Sequence, residues 1–318
     1  MKDIKLARNH HFVPQGYLAG FSNSGTREGQ LCVFDRMSRS FFKTKPRNVA
    51  AARDFNRIDV EGKTPDAIEL AFGELEGKAI EVIRKIQVTG VLPPDEEFCY
   101  VLNLMALMIL RNPRSRRNMN NARSRTVRLI GDVIASDKRF YENQLVKAKE
   151  SGFVPQDAEV TFEEMRDVIY QDKYTVTIST SDSLALELGG FDKVLQMLGY
   201  RYWSLVTAAV DAPDFATCDH PVTIVFKDPN RCCAAIGYGL PNTVVSFPLN
   251  TRQALLGVLE EPLELNIVAQ SSQVADINSR TLYNADRQVY SKTDIMVVLR
   301  GNELYSMQLR QFMANNVL

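Results

Sequence analysis

The amino-acid sequence predicts an α+β fold, with a central helical bundle over about 64–170 packed against a mainly antiparallel sheet from the N- and C-terminal thirds. Three observations predict it. Between residues 64 and 170 the apolar residues recur at helical spacing. Toward both ends the apolar runs are short, alternating or β-branched, with Gly, Pro, Asn and Ser between them. No internal repeat or low-complexity segment interrupts this division, and such segregation of strands from helices marks the α+β class. The 318 residues are expected to form a single large domain with stretches 1–60, 61–172 and 173–318.

Residues 1–25 carry no period and close in the turn-like Ser22-Asn23-Ser24-Gly25. Leu31 to Asp35 and Ser40 to Thr44 form a hairpin about Arg36-Met37-Ser38-Arg39, and Phe55 to Val60 offers a third strand. Thr64-Pro65-Asp66 opens a helix, with Thr64 as N-cap and Pro65 at the first helical position. Ile68, Phe72, Leu75, Ala79, Val82, Ile83 and Ile86 carry its period to Gln87. Gly90 and Pro93-Pro94 break it. A second helix starts at Asp95 and is apolar almost all round from Phe98 to Leu110, which places it in the core. Pro113 marks a kink or a restart. A third helical stretch runs to about Lys149, where Gly152 and Pro155 end it, and another helix spans Phe162 to Tyr170.

The texture changes after about residue 172. Tyr174 to Ser179 alternates as a strand does, and Leu184 to Leu198 has helical spacing. Strands follow at Tyr202–Ala209, Val222–Phe226, Val244–Phe247 and Ala254–Leu259. A helix is expected from Asn266 to Arg287, then a strand at Ile295–Leu299 and a short terminal helix.

Hydrophobic residues make up 45% and charged residues 24%, which excludes a disordered or fibrous chain. Thirty-eight basic residues balance thirty-eight acidic ones, so attraction to nucleic acid or membrane must be local. The N-terminal stretch is charged and has no apolar h-region, so no secretory signal is expected. The longest nearly apolar run, Phe98 to Leu110, is broken by Asn103 and falls short of the roughly 20 residues a bilayer needs, so no membrane partner is expected. Cys32, Cys99, Cys218, Cys232 and Cys233 are odd in number and include no C-x-x-C. That argues against a zinc cage or disulfide framework and for a reducing cytoplasm, with most of the cysteines small buried hydrophobes.

Residues 111 to 131 hold seven arginines and no acid. On a helix at about 100° per residue, Arg114, Arg117, Asn118, Asn121, Arg125 and Arg128 share one face. Like charges so spaced repel by a few tenths of a kcal/mol per pair, so something negative must compensate. One reading pairs them with acids of the 61–81 helix, such as Glu69, Glu74, Glu76 and Glu81. The other makes Arg111, Arg114, Arg117, Arg125 and Arg128 a phosphate-binding face for nucleic acid or a phosphorylated small molecule.

All three histidines lie in two short motifs, which excludes a metalloenzyme built from many imidazoles. The first is Asn9-His10-His11-Phe12-Val13-Pro14-Gln15-Gly16-Tyr17-Leu18. Neighbouring side chains of an extended segment point to opposite faces, so only one of His10 and His11 reaches a given centre. Pro14 holds Val13 extended, and Gln15 can donate and accept at once. The second is Phe215-Ala216-Thr217-Cys218-Asp219-His220-Pro221 at a strand end. His10, His11, Gln15, Asp219 and His220 are the candidate catalytic residues: a carboxylate that orients an imidazole is a workable acid/base set. His10, His11 and Asp219 also suit one divalent metal ion. The structural alternative gives Asp219 to its own backbone as a turn former. A thiol nucleophile, Cys218 or Cys99 with His10 or His11, is disfavoured because Asp219 would raise the Cys218 pKa.

The string HHFVPQ-x-YL, with Phe21 closely following, resembles a bacterial family catalogued only as domain of unknown function 4238. Arg111-Asn112-Pro113 is similar to its Arg-x-Pro element and Thr217-Cys218-Asp219-His220-Pro221 to its Ser/Thr-Ser-Asp-Asn-Pro element. Phe247-Pro248-Leu249, Tyr283-Asn284-Ala285 and Tyr290-Ser291 fit its later blocks in order. Cys218 stands where Ser is more usual and His220 where Asn is more usual, which leaves Asp219 the stronger of the two. The resemblance implies no reaction. No phosphate-cradling glycine loop and no G-x-S-x-G elbow is present. Two functions are expected. One is a phosphoester or nucleic-acid hydrolase, an activity that would suit bacterial defence against phage. The other is a non-catalytic module that binds an anionic ligand or partner.

Overall fold

The computed structural model describes residues 8–58, 60–231 and 235–310. Cys232, Cys233 and the end of the chain beyond residue 310, with the expectations that fall on them, lie outside the described residues. The fold is α+β. In chain order its elements are β1 (Asn9–His11), α1 (Gln15–Ala19), β2 (Leu31–Asp35), β3 (Ser40–Thr44), β4 (Ala51–Arg53), α2 (Ala67–Thr89), α3 (Asp95–Leu110) and α4 (Pro113–Ser136). Then come α5 (Lys138–Glu150), α6 (Phe162–Tyr170), α7 (Thr180–Gly189), α8 (Phe191–Gly199), β5 (Tyr202–Ala208), β6 (Thr217–Cys218) and β7 (Thr223–Phe226). The last are β8 (Thr243–Pro248), β9 (Gln253–Val258), β10 (Asn266–Ala269), α9 (Ser271–Asn284), β11 (Gln288–Ser291), β12 (Ile295–Arg300) and β13 (Glu303–Gln308).

The chain forms two compact units, one of residues 1–115 with 184–318 and one of residues 116–183. The boundary at residue 116 falls inside the expected 61–172 helical stretch. The physical reason is surface chemistry. Nine residues of α3 are buried, from Phe98 to Ile109, and all but Leu107 lie in the main core. In α4 only Ala135 is buried, and α6 buries none. These two helices therefore bury far fewer side chains than α3 does.

In the larger unit the strand order β10-β5-β9-β8-β7 makes a five-stranded sheet, antiparallel except for the parallel β10–β5 pair. One face sends Leu205, Val245, Phe247 and Leu255 into the core shared with α2 and α3. Trp203 lies across Gly257 on that side, where an added Cβ would come within 2.7 Å of the indole. The other face presents Val206, Ala208, Ala254 and Ala269 to Val274 and Ile277 of α9. A four-stranded sheet, β3-β2-β11-β6, joins the two ends of the chain: Cys32 of β2 registers with Ser291 of β11. The expected sharing of strands between the N- and C-terminal thirds is found there.

Several elements differ from expectation. The stretch from Phe55 to Val60 forms no strand among the described residues; β4 lies just before it, between left-handed Ala50 (φ 52°) and Asp54 (φ 55°), and pairs with β1. Phe55 and Ile58 are buried from the turn after β4. The 67–89 helix starts three residues after Thr64, whose carbonyl accepts the Ala67 N–H in a preceding turn. Tyr174 to Ser179 pairs with no strand among the described residues. Gly190 divides the expected 184–198 helix into α7 and α8. The expected 266–287 helix begins as β10, because a capping box of Gln270 and Gln273 starts α9 only at Ser271. After left-handed Gly301, β13 returns along β12, and no helix follows it among the described residues. Among the described residues no helix is long and apolar enough to cross a membrane.

Candidate functional site

The first histidine motif is a strand that turns into a helix. In β1, His10 registers with Ala52 and His11 with Ala51, so their rings leave on opposite sides. His10 Nδ1 accepts the Asn56 backbone N–H at 2.8 Å, and the Asn56 side chain donates to Glu69 at 2.5 Å. His10 is thus bound into the fold.

His11 is buried but poorly satisfied. Its Nε2 is closed off from solvent and makes no hydrogen bond of normal geometry, although the ring lies close enough to the Arg47 backbone for that contact to favour its charged form. Its Nδ1 lies 3.5 Å from the Gln15 amide nitrogen, at the limit of a hydrogen bond. Pro14 ends the extended stretch and caps α1, so Gln15 turns back toward the ring four residues away. Burial lowers the His11 pKa below the ordinary imidazole value, the Arg47 backbone and Glu69 oppose this, and Arg111 and His10 add to it. The ring is therefore neutral near pH 7.

His11, Gln15 and Gly16 line a cavity of about 170 Å³ whose other walls are Arg27 and the Glu69, Gly73, Glu76, Gly77 face of α2. A Cβ on Gly73 or Gly77 would meet nothing within 4 Å, so the helix side of the cavity is open. A Cβ on Gly16 would lie 3.1 Å from Ile80 and 3.3 Å from Arg27 Nη2, so α1 approaches both closely. Burial raises the Glu76 carboxyl above the ordinary range, and Arg111 pulls against that rise.

Arg111 ends α3 and is 2% exposed. It donates to Glu76 and, at 3.1 Å, to the His11 backbone carbonyl, and its guanidinium lies 4.4 Å from the Phe72 ring centroid. The expected phosphate-binding role is corrected here: a guanidinium enclosed by the protein's own acid and aromatic ring faces no ligand surface. Arg111 positions Glu76 and the His11 backbone instead.

The second motif is fully engaged. Asp219 Oδ1 accepts the Asp286 N–H at 2.8 Å, and Oδ2 accepts those of Arg287 and Gln288 at 2.7 and 2.8 Å. Burial raises its pKa, and these three donors oppose the rise. His220 Nδ1 lies 2.7 Å from both Arg114 Nη2 and Asn284 Nδ2. Both partners are donors in this arrangement, since Asn284 Oδ1 accepts from Arg114 at 2.8 Å, so Nδ1 is the acceptor and the ring proton sits on Nε2. Burial first, and then Arg114, lower the His220 pKa to about 4. Burial and then Asp219 push the Cys218 thiol far up, as its neighbour's charge implies, and the residue is inert as a nucleophile. Cys32 is also buried, whereas Cys99 is exposed.

The motifs meet in the core through Tyr17, whose hydroxyl lies 2.7 Å from Thr217 Oγ1 and donates to the Pro248 carbonyl at 2.7 Å, while its ring stacks on Phe247. His11 and Asp219 have no hydrogen-bond partner in common. Among the described residues no three His, Cys, Asp or Glu groups are placed to hold a metal ion, so His10, His11 and Asp219 do not assemble the expected ligand set. Arg114 donates to the Asn284 carbonyl and side chain and to His220 Nδ1. Arg117, Arg125 and Arg128 are exposed in the 116–183 unit, where Arg128 pairs with Asp172 and lies over Tyr174.

Sequence reasoning missed Arg27 altogether and took Glu69 and Glu76 only as charge partners. A signal for the two acids exists. Glu69, Gly73, Glu76 and Gly77 fall on one helical face, and interior helical glycine costs about 1 kcal/mol each, which marks a face kept open.

The N-terminal motif lies against α2, and Tyr17 joins it to the second motif in the core. Residues 9–294 match the family described as protein of unknown function, DUF4238, and the chain belongs to that family. No curated protein and no solved structure matches the chain.

Proposed function

We propose that the protein is a phosphoester hydrolase whose chemistry takes place in the His11 cavity. One observation carries the reading: a neutral, under-bonded imidazole lines a polar cavity that also holds two carboxylates and a guanidinium. His11 Nδ1 takes a proton from the attacking water as the water oxygen bonds to phosphorus, the phosphorus–oxygen bond to the leaving group breaks, and the proton passes to the departing oxygen; Gln15 orients the ring or the water, and Arg27 receives a phosphoryl oxygen. The cavity is smaller than the roughly 300–1,000 Å³ of ordinary ligand sites, which suits one phosphate with its nearest substituents, such as the end of a strand. Glu69 disfavours a dianion, so a singly charged phosphodiester is the preferred substrate.

The test uses bis(p-nitrophenyl) phosphate and a short RNA, each with and without Mg²⁺ or Mn²⁺. Wild type turns over at least one of them. His11→Gln lowers kcat by at least about 100-fold while the melting temperature stays close to wild type. Arg27→Gln mainly raises KM. Equal turnover by wild type and His11→Gln ends the proposal.

A second reading is favoured by the exposed arginines of α4, which have no acid between residues 111 and 131. Here the protein binds nucleic acid without cutting it. Binding would weaken steeply with salt, and Arg125→Gln would reduce both affinity and salt slope.

A further inference from the structure

The five-stranded sheet is covered unequally on its α9 side. At one end Ala208, Ala254 and Ala269 let the helix approach closely, and Val274 and Ile277 fill the space. At the other end Leu256 and Ile267 are only half-buried, and Leu263 is exposed. Alternation along the strands puts Val206, Leu256 and Ile267 on one face, since Val206 registers with both Ala254 and Ile267. Between this face and α9 lies a cavity of about 430 Å³. Its size and apolar walls fit a small-molecule site.

The polar edge of the cavity is supplied by Asp276 and Arg280 of α9 and by Lys227. Lys227 pairs with Glu260 at 2.7 Å, and Arg280 Nη2 pairs with Asp276 at 2.5 Å. Arg280 Nη1 is buried and has no hydrogen-bond partner. A buried guanidinium donor without an acceptor is a cost that folding alone does not explain. An acceptor oxygen on a bound molecule would remove that cost once the guanidinium turns its Nη1 edge into the cavity that Arg280 lines. The neighbouring charges are already balanced in pairs, so a head group with one negative charge fits better than a dianion.

We propose that this cavity binds a monocarboxylate with a medium-length aliphatic chain, the carboxylate on Arg280 Nη1 and the chain against Val206, Leu256 and Ile267. The site is separate from the His11 cavity and does not depend on its chemistry.

The probe is octanoate, titrated calorimetrically into the full chain, with 1-octanol as the neutral control. Octanoate binds and raises the melting temperature, and it binds at least about tenfold more tightly than octanol. Arg280→Met removes that preference and leaves octanol unchanged. Ile267→Trp, on the edge strand, fills the cavity and abolishes both. Failure of octanoate to bind, equal affinity for octanol, or indifference to Arg280→Met overturns the proposal. So does a dimer in sedimentation velocity that Ile267→Trp dissociates, because a second copy would then cover this face.

Discussion

The two histidine motifs contain the same chemistry and end in opposite states. Each brings an imidazole, a carboxylate and an arginine together. At the second motif every group has a partner: Asp219 holds three backbone N–H groups, and His220 Nδ1 accepts from Arg114 and Asn284. At the first, His10 and Arg111 are tied into the fold, but the His11 ring lines a cavity and its Nε2, closed off from solvent, makes no hydrogen bond of normal geometry. Residue type is thus a poor guide to role. What separates a structural histidine from a reactive one is whether its hydrogen bonds are already made.

The comparison can be broken most forcefully at Arg111. Arg111→Ala leaves Glu76 buried without its counter-charge and is expected to cost about 3–5 kcal/mol in urea unfolding. Arg111→Met with Glu76→Leu should recover most of that loss; if it does not, the pair is more than a support.

Next is the pH response of His220. Its pKa is about 4 folded against 6.5 unfolded, so the unfolded chain binds more protons between those values. This contribution to stability is complete above pH 6.5 and is lost as pH falls toward 4, by roughly 3 kcal/mol. His220→Asn should flatten the dependence of the urea midpoint on pH over that window. An unchanged slope would show that His220 is not a buried neutral acceptor.

Asp219→Ala removes the acceptor for three partly buried donors and should cost about 2–3 kcal/mol. A folded Asp219→Ala protein with wild-type stability and no activity would transfer the chemistry to the second motif. The smallest effect belongs to Arg128→Ala. Arg128 and Asp172 are both solvent-exposed, and no measurable change in melting temperature is expected.

Much of the fold was legible because local rules govern it. The β2–β3 hairpin, α3 and the 162–170 helix stand where hydrophobic period, turn residues and proline put them. The failures are also local. Asn266 to Ala269 shares helical spacing with the α9 residues that come after it, and only its parallel pairing with β5 makes it a strand. Tyr174 to Ser179 alternates, but a strand needs a neighbouring edge and none is there among the described residues. At the site, the alternation of an extended chain correctly separated His10 from His11. It could not show which of the two would face a cavity, nor that Asp219 would be bound by residues 286–288.

By itself, then, the sequence determined the class of the fold, the membership carried by HHFVPQ-x-YL, and the set of side chains able to do chemistry. Tertiary structure alone decided which remained available for it. A side chain's chemistry is intrinsic and travels with the residue. Its burial and hydrogen bonds depend on groups as distant in the chain as Tyr17 and Thr217, or His11 and Arg111, and these meet only when the core closes.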